Sequence, residues 1–269
     1  VLRSRGDTDL MVSFADRGRV AQALEHLGFR RETGVSGDFI SYQSSFTQTV
    51  AGGASHSLDL HWRINNSQLL ARLFTYEELR TRAQPLPELS PHAFAAGSVD
   101  ALLLACMHRS GHKQAPYYVD DVAHYSGDRL IWLYDIHLLA QKLTPDEWHT
   151  FIDLATRKGL RAVCLEGLRL AQTCFSTPID SEVIETLAQP GDPESSAQYL
   201  ESSAARRLWL DFCAIDGWQG KLGFMSELLF PSASYMLEKY PDARGAGLPW
   251  LYLRRATGGM FKYLKGRGE

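Results

Sequence analysis

Residues His56 to Ile64 read HSLDLHWRI, an alternation that fits a β-strand with one dry face and little else. Successive side chains of a strand point to opposite sides, so Leu58, Leu60, Trp62 and Ile64 share one face and Ser57, Asp59, His61 and Arg63 the other. The apolar row has to be covered, which sets this strand in a sheet packed against another element. The polar face then carries one acid, Asp59, in the middle of an otherwise half-buried pattern. A partner pattern stands near the front of the chain, where Asp7-Thr8-Asp9 runs into the apolar stretch Leu10 to Phe14.

If Asp7 to Val12 enters a strand, Asp7 and Asp9 project together, about 6 to 7 Å apart at their Cα atoms. Should the two strands be neighbours in one sheet, Asp7, Asp9 and Asp59 form a cluster of three carboxylates. Like charges resist joint ionisation, so such a cluster is costly unless cations are bound in it. Oxygen-only ligands favour Mg2+ or Mn2+ over zinc. Two such ions, about 3.5 to 4 Å apart, can hold phosphates, activate a hydroxyl and stabilise leaving pyrophosphate. The plainer reading is that Asp-x-Asp marks a strand end or turn, where the carboxylates accept backbone N–H groups.

Between these two stretches the pattern is mixed. ADRGRVAQALEHLGF puts Val20, Ala23, Leu24 and Leu27 at helical spacing, with Gly28 placed to end the helix. Phe39 to Val50 is strand-like, and Ala51 to Ala54 offers a turn before His56, so the two runs predict an antiparallel hairpin.

From about Tyr76 onward helical periodicity dominates. Leu102, Leu103, Cys106 and Met107 form one stripe, and Leu130, Leu133, Tyr134, Ile136, His137 and Leu138 another. Helices are expected over Asp146–Lys158, Arg161–Phe175, Ser181–Leu187, Ser195–Ile215 and Lys221–Leu229. Proline interrupts both helix and sheet bonding, so QPLPELSP, Gln84 to Pro91, is the expected boundary, and QPGDPESS, Gln189 to Ser196, a break between helices. The fold class expected is α+β: a small mixed sheet over residues 1–88, then an all-α domain over 89–269.

A net charge of −3 over 269 residues gives no global nucleic-acid signature. No apolar run is long enough for a membrane span and no signal-peptide layout opens the chain, so a cytoplasmic protein is expected. The four cysteines are far apart in helix-like contexts, which suggests buried reduced thiols rather than a metal site or disulfide framework. No P-loop, dinucleotide fingerprint, zincin helix or nucleophile elbow is present.

Taken in order, RSRGDTDLMV, a helix ending LGF, the strand SLDLHW, the run DALLLACMHRSGHK and then RLIWLYDIHLLAQ resemble the bacterial uncharacterised nucleotidyltransferase family of the DNA polymerase β-like superfamily. The resemblance spans about Arg3 to Gln141. It implies a sheet carrying the carboxylates Asp7, Asp9 and Asp59 as catalytic and metal-binding residues, with Mg2+ or Mn2+. It implies transfer of a nucleoside monophosphate from an NTP, with ATP the expected donor, to a small molecule, saccharide, peptide or protein. The family's glycine-containing phosphate turn lies upstream of the Asp pair, and here Val1 is only six residues before Asp7. Either Arg3, Ser4, Arg5 and Gly6 serve, or residues preceding Val1 do, or nucleotide binding is impaired. An impaired member would be a binding or regulatory module, antitoxin-like.

Arg63 and His61 are further nucleotide-binding candidates. His108 and His112, one helical turn apart, suit a shared metal, a contact with nucleotide or carboxylate across a cleft, or plain surface polarity; Lys113 follows as a candidate phosphate contact. Asp135 in an apolar helix requires a partner such as Arg129 or His108, or a cleft to face. Asp120 and Asp121 read as loop or cap residues. The tail from Ala243 carries Arg244, Arg254, Arg255, Lys262, Lys265 and Arg267 among aromatic residues, a pattern that suits an acidic partner, whether an acidic acceptor, an anionic membrane surface or RNA, or else a solvated terminal helix.

Overall fold

The structure is a computed structural model that describes residues 7–35, 37–50, 53, 55–113, 117–119, 122–124, 128–243, 245 and 247–265. Arg3, Ser4, Arg5, Gly6, Asp120, Asp121, Arg244 and Arg267 lie outside the described residues, as do most of Ala51 to Ala54. Contacts divide the chain into two compact units, Val1–Glu77 with Ala204–Glu269, and Glu78–Ser203.

The first unit opens with β1 (Thr8–Met11), α1 (Arg17–His26), β2 (Arg30–Arg31), β3 (Gln43–Thr49) and β4 (Ser55–His61). The four strands form one mixed sheet in the order β1-β4-β3-β2. β3 and β4 are the expected antiparallel hairpin, and β1 lies parallel to β4. The parallel pair is what α1 makes possible, because parallel neighbours need a crossover of a dozen or more residues between them. Its dry face is the predicted one: Leu60 and Phe46 are fully buried, with Leu58 packed alongside, against Ala21, Leu24 and Val20 of α1. Burial of each large side chain in this cluster contributes roughly 1.5–3 kcal/mol.

α1 departs from its expected stripe in one respect. Ala21 faces the sheet where Ala23 was expected, and Leu27 is 68% exposed. The helix ends at His26, so Leu27 leaves on the turn that Gly28 closes with φ +89°, a left-handed conformation that favours glycine.

A 3-10 turn (Leu70–Arg72) leads to α2 (Tyr76–Thr81). The second unit then continues with a ribbon of β5 (Gln84–Pro85) and β6 (Phe94–Ala95), α3 (Ser98–His112), a ribbon of β7 (Tyr117–Val119) and β8 (Val122–His124), α4 (Leu130–Ala140), α5 (Pro145–Arg157), α6 (Arg161–Phe175), α7 (Ser181–Ala188) and α8 (Ser195–Glu201). The proline-rich stretch thus forms part of the first ribbon, and the division by contact falls earlier, after Glu77. Leu102, Leu103, Cys106 and Met107 of α3 are all buried, as are Leu133 and Ile136 of α4, whereas Leu130 and Leu138 are exposed. α5 begins with a capping box, in which Thr144 accepts from the Glu147 backbone and Glu147 returns the bond, with Pro145 in the first turn.

The helix expected over Ser195–Ile215 is two helices, α8 and α9 (Ala204–Ala214). Ser202 takes an extended conformation, ψ 152°, and its hydroxyl donates to the Gln198 carbonyl, the local bonding by which serine competes with a continuing helix. α10 (Gly217–Leu229), α11 (Ala233–Lys239) and α12 (Leu248–Lys265) complete the first unit. Cys106 and Cys164 are buried as expected, but Cys174 and Cys213 are exposed on outward helix faces.

Candidate functional site

The parallel register of β1 on β4 sets Asp9 directly opposite Asp59, with Met11 opposite His61. Neighbouring strands run about 4.8 Å apart, so two residues in register on the same face bring their side chains together. His61, two residues beyond Asp59, points the same way. Its Nε2 lies 3.0 Å from Asp9 Oδ1, and because a carboxylate only accepts, the imidazole donates there. On the other side of β4, Gln43 of β3 donates through Nε2 to Asp59 Oδ2 at 3.4 Å. Gln43 is itself held, its Oε1 accepting from Asn66 Nδ2 at 2.9 Å, while Asn66 Oδ1 accepts the Tyr42 backbone N–H at 2.8 Å.

Asp9, Asp59 and His61 each offer one ligand atom, all within 4.8 Å of one another, the single such group of three among the described residues. Two carboxylate oxygens at that spacing, one of them bonded to the His61 imidazole, fit a divalent cation that completes its shell with water or phosphate oxygen. The side chain of Asp9 is 72% exposed. Asp7 is exposed and sits just before β1, outside this group. Continued one step backward, the register takes Asp7 to the level of Ser57, on the opposite side of Asp59 from His61.

The other candidates are placed elsewhere. Arg63 lies over the Tyr42 ring, 4.9 Å from its centroid. His108 and His112 lie side by side with ring centroids 4.4 Å apart and planes tilted by 34°, both beside Trp132, over which Arg129 also lies at 5.2 Å. Partial burial, and then the positive charge of Arg129, hold the His112 imidazole below its ordinary value. Lys113 donates twice to Glu166, at 2.8 and 3.0 Å. In the tail, Arg254 pairs with Asp242 at 2.9 Å and Arg255 donates to the Leu228 carbonyl.

Arg109, absent from the candidates above, is 1% exposed in its side chain and grips Asp128 with two bonds of 2.5 and 2.6 Å, with Glu166 3.1 Å away. Burial works to raise the Glu166 carboxyl, but the bonds from Arg109 and Lys113 outweigh it and hold the group below its usual range. The signal was present: Arg109 falls at i+7 and i+3 from Leu102 and Cys106, on the apolar stripe, where a charge requires partners. Glu227 is likewise absent from those candidates. Its carboxylate accepts the backbone N–H groups of Asp38, Phe39 and Ile40 at 2.8, 2.8 and 3.0 Å, tying the loop before β3 to α10.

A family model for uncharacterised nucleotidyltransferases matches residues 1–176. The chain belongs to that family. The match takes in β1 and β4 with all three cluster residues, and the helices through α6. No curated protein and no solved structure matches the chain. Membership of the family supports nucleotidyl transfer in general terms, with a nucleotide as substrate. A divalent metal is typical of such enzymes, and the Asp9, Asp59 and His61 group supplies ligands suited to one. No helix among the described residues is long and apolar enough to cross a membrane.

Proposed function

We propose that the protein is a Mg2+- or Mn2+-dependent nucleotidyltransferase that moves a nucleoside monophosphate from an NTP, with ATP as the expected donor, to an acceptor hydroxyl. The observation that carries this reading is the register of Asp9 on Asp59, which turns two acids 50 residues apart in sequence into one pair flanked by His61. Asp9 and Asp59 hold the cation, His61 fixes the carboxylate of Asp9, and Asp7, just ahead of the strand, adds a third carboxylate toward a second ion. A bound divalent ion neutralises triphosphate charge and polarises the reacting phosphoryl group.

Asp59 takes the proton of the acceptor hydroxyl. The acceptor oxygen then bonds to the α-phosphorus, the bond from that phosphorus to the β-phosphate bridge breaks, and pyrophosphate leaves. Most of the catalysis in such a transfer is positioning and charge stabilisation, which a rigid strand pair supplies. Arg3, Arg5 and Arg63 are the proposed phosphate contacts.

The test is transfer of label from an NTP radiolabelled at the α-phosphate, with Mg2+ and a cell extract as acceptor source. Wild-type protein gives a labelled product, whereas Asp9→Asn and Asp59→Asn give none. Undiminished labelling by both variants rules out this assignment.

A further inference from the structure

Beside the carboxylate pair lies a polar groove of about 600 Å³, within the size of small-molecule sites. Gln43 and Ser45 of β3 stand opposite His61 and Asp59 in the antiparallel register, so they line the groove from the same face as the cluster. The groove is therefore one side chain from Asp59, through the 3.4 Å bond from Gln43. We propose that this groove is the acceptor subsite and that it takes a neutral, polyhydroxylated acceptor of the saccharide type; the acceptor role rests on the nucleotidyl-transfer reading above.

Three features select that class. Charge is balanced: Arg31 and Glu32 are consecutive on the lining, which suits neither an anion nor a cation alone. Donors and acceptors are interleaved, since the lining adds Ser45, on the Asp59 face of β3 beside Gln43, and Ser234 on α11. Hydroxyls both donate and accept, and a polyol is the ligand that matches such a wall group for group. No aromatic ring is among the described lining residues, which does not favour a flat base or indole.

The groove is also built rather than incidental. The amide of Gln43 is locked between Asp59 and Asn66, and Asn66 is locked by the Tyr42 backbone. The wall at Ile40 and Ser41 is carried by the loop whose N–H groups Glu227 accepts. Gly37 permits that approach, because a Cβ there would lie 2.1 Å from the Glu227 carboxyl carbon. An acceptor hydroxyl seated over Gln43 loses its proton to Asp59 and gains the nucleotidyl group, and pyrophosphate departs.

Saturation-transfer NMR with D-glucose, N-acetyl-D-glucosamine and the dipeptide glycylglycine tests the groove without any turnover. Wild-type protein is expected to transfer saturation to at least one sugar and not to the dipeptide. Ser234→Trp, at an exposed position on the α11 wall, should weaken sugar binding about tenfold or more with an unchanged unfolding midpoint, and Arg31→Ala should weaken it too. No transfer to either sugar, transfer to the dipeptide alone, or equal sugar binding by Ser234→Trp each overturns the proposal. Calorimetry of Mg2+-ATP binding to the same samples reports on the donor side separately: its loss counts against nucleotidyl transfer and not against the sugar groove.

Discussion

Replacing Asp59 with Asn should have two effects of opposite sign. Two unit charges about 4 Å apart in water-like surroundings repel by about 1 kcal/mol. The ligand atoms of Asp9 and Asp59 lie within 4.8 Å of each other and Asp9 is largely exposed, so the water-like figure applies. Asn keeps an oxygen for the Gln43 bond, so Asp59→Asn should leave the metal-free protein as stable as wild type or up to about 1 kcal/mol more stable. Added cation reverses the ranking. At a concentration a hundred times its Kd, a ligand that binds only the folded state stabilises by about 2.7 kcal/mol. For a chain of this size that is a rise in Tm of roughly 5–10 °C. Thermal unfolding of both proteins with EDTA and with Mn2+, at low ionic strength, reads both effects. A wild-type-sized Mn2+ response in Asp59→Asn would show that Asp59 is not a cation ligand, and a variant clearly less stable than wild type in EDTA would show that the two carboxylates do not repel.

Other outcomes follow from single contacts. His61→Ala removes the bond that orients Asp9 and should weaken Mn2+ binding by about 10- to 100-fold, the usual effect of losing a group that orients a ligand; calorimetry showing wild-type affinity would remove His61 from the site. In the Arg109 network, Asp128→Asn leaves a buried guanidinium short of charge and should cost about 3 kcal/mol, whereas Arg109→Met leaves two partly hydrated carboxylates and should cost less; denaturant titrations giving the reverse order contradict the assignment of burial to Arg109. Because the folded Glu166 carboxyl is held low by Arg109 and Lys113, its contribution is present above the ordinary carboxylate range and lost as pH falls through the lowered value. Glu166→Gln should therefore flatten the acid limb of the stability profile below about pH 4, and an unchanged limb shows the ion pairs to be idle.

The strands and their faces were legible because period-two alternation is a local property: Leu60 is buried with Leu58 half-buried beside it, and Asp59 and His61 share the other face, as the pattern requires. Which residue completes the cluster was not local. It depends on the register of β1 on β4, where a slip of two residues would have put Asp7 opposite Asp59 and moved Asp9 level with His61. Hydrophobic patterning fixes which face is buried but allows such even-numbered slips, so sequence alone favoured the three acids and the structure brings in His61. The Arg109 network was half legible, since a charge on an apolar stripe calls for partners, but Asp128 and Glu166 come from segments 19 and 57 residues away and only packing brings them in. The break at Ser202 was hidden because helical periodicity continues across it, and the local serine bond that ends α8 carries no hydrophobic signature.

Asp9 and Asp59, with the His61 imidazole bonded to the Asp9 carboxylate, are proposed to hold a divalent cation that receives a nucleotide. A crystal of the protein soaked with Mn2+ and a non-hydrolysable ATP analogue, with anomalous scattering recorded at the manganese edge, tests it most directly. An anomalous peak is expected within about 2.3 Å of an oxygen of Asp9 and of Asp59, with the triphosphate on its open side. Nucleotide bound with no manganese between these carboxylates, or manganese bound only at His108 and His112, would contradict it.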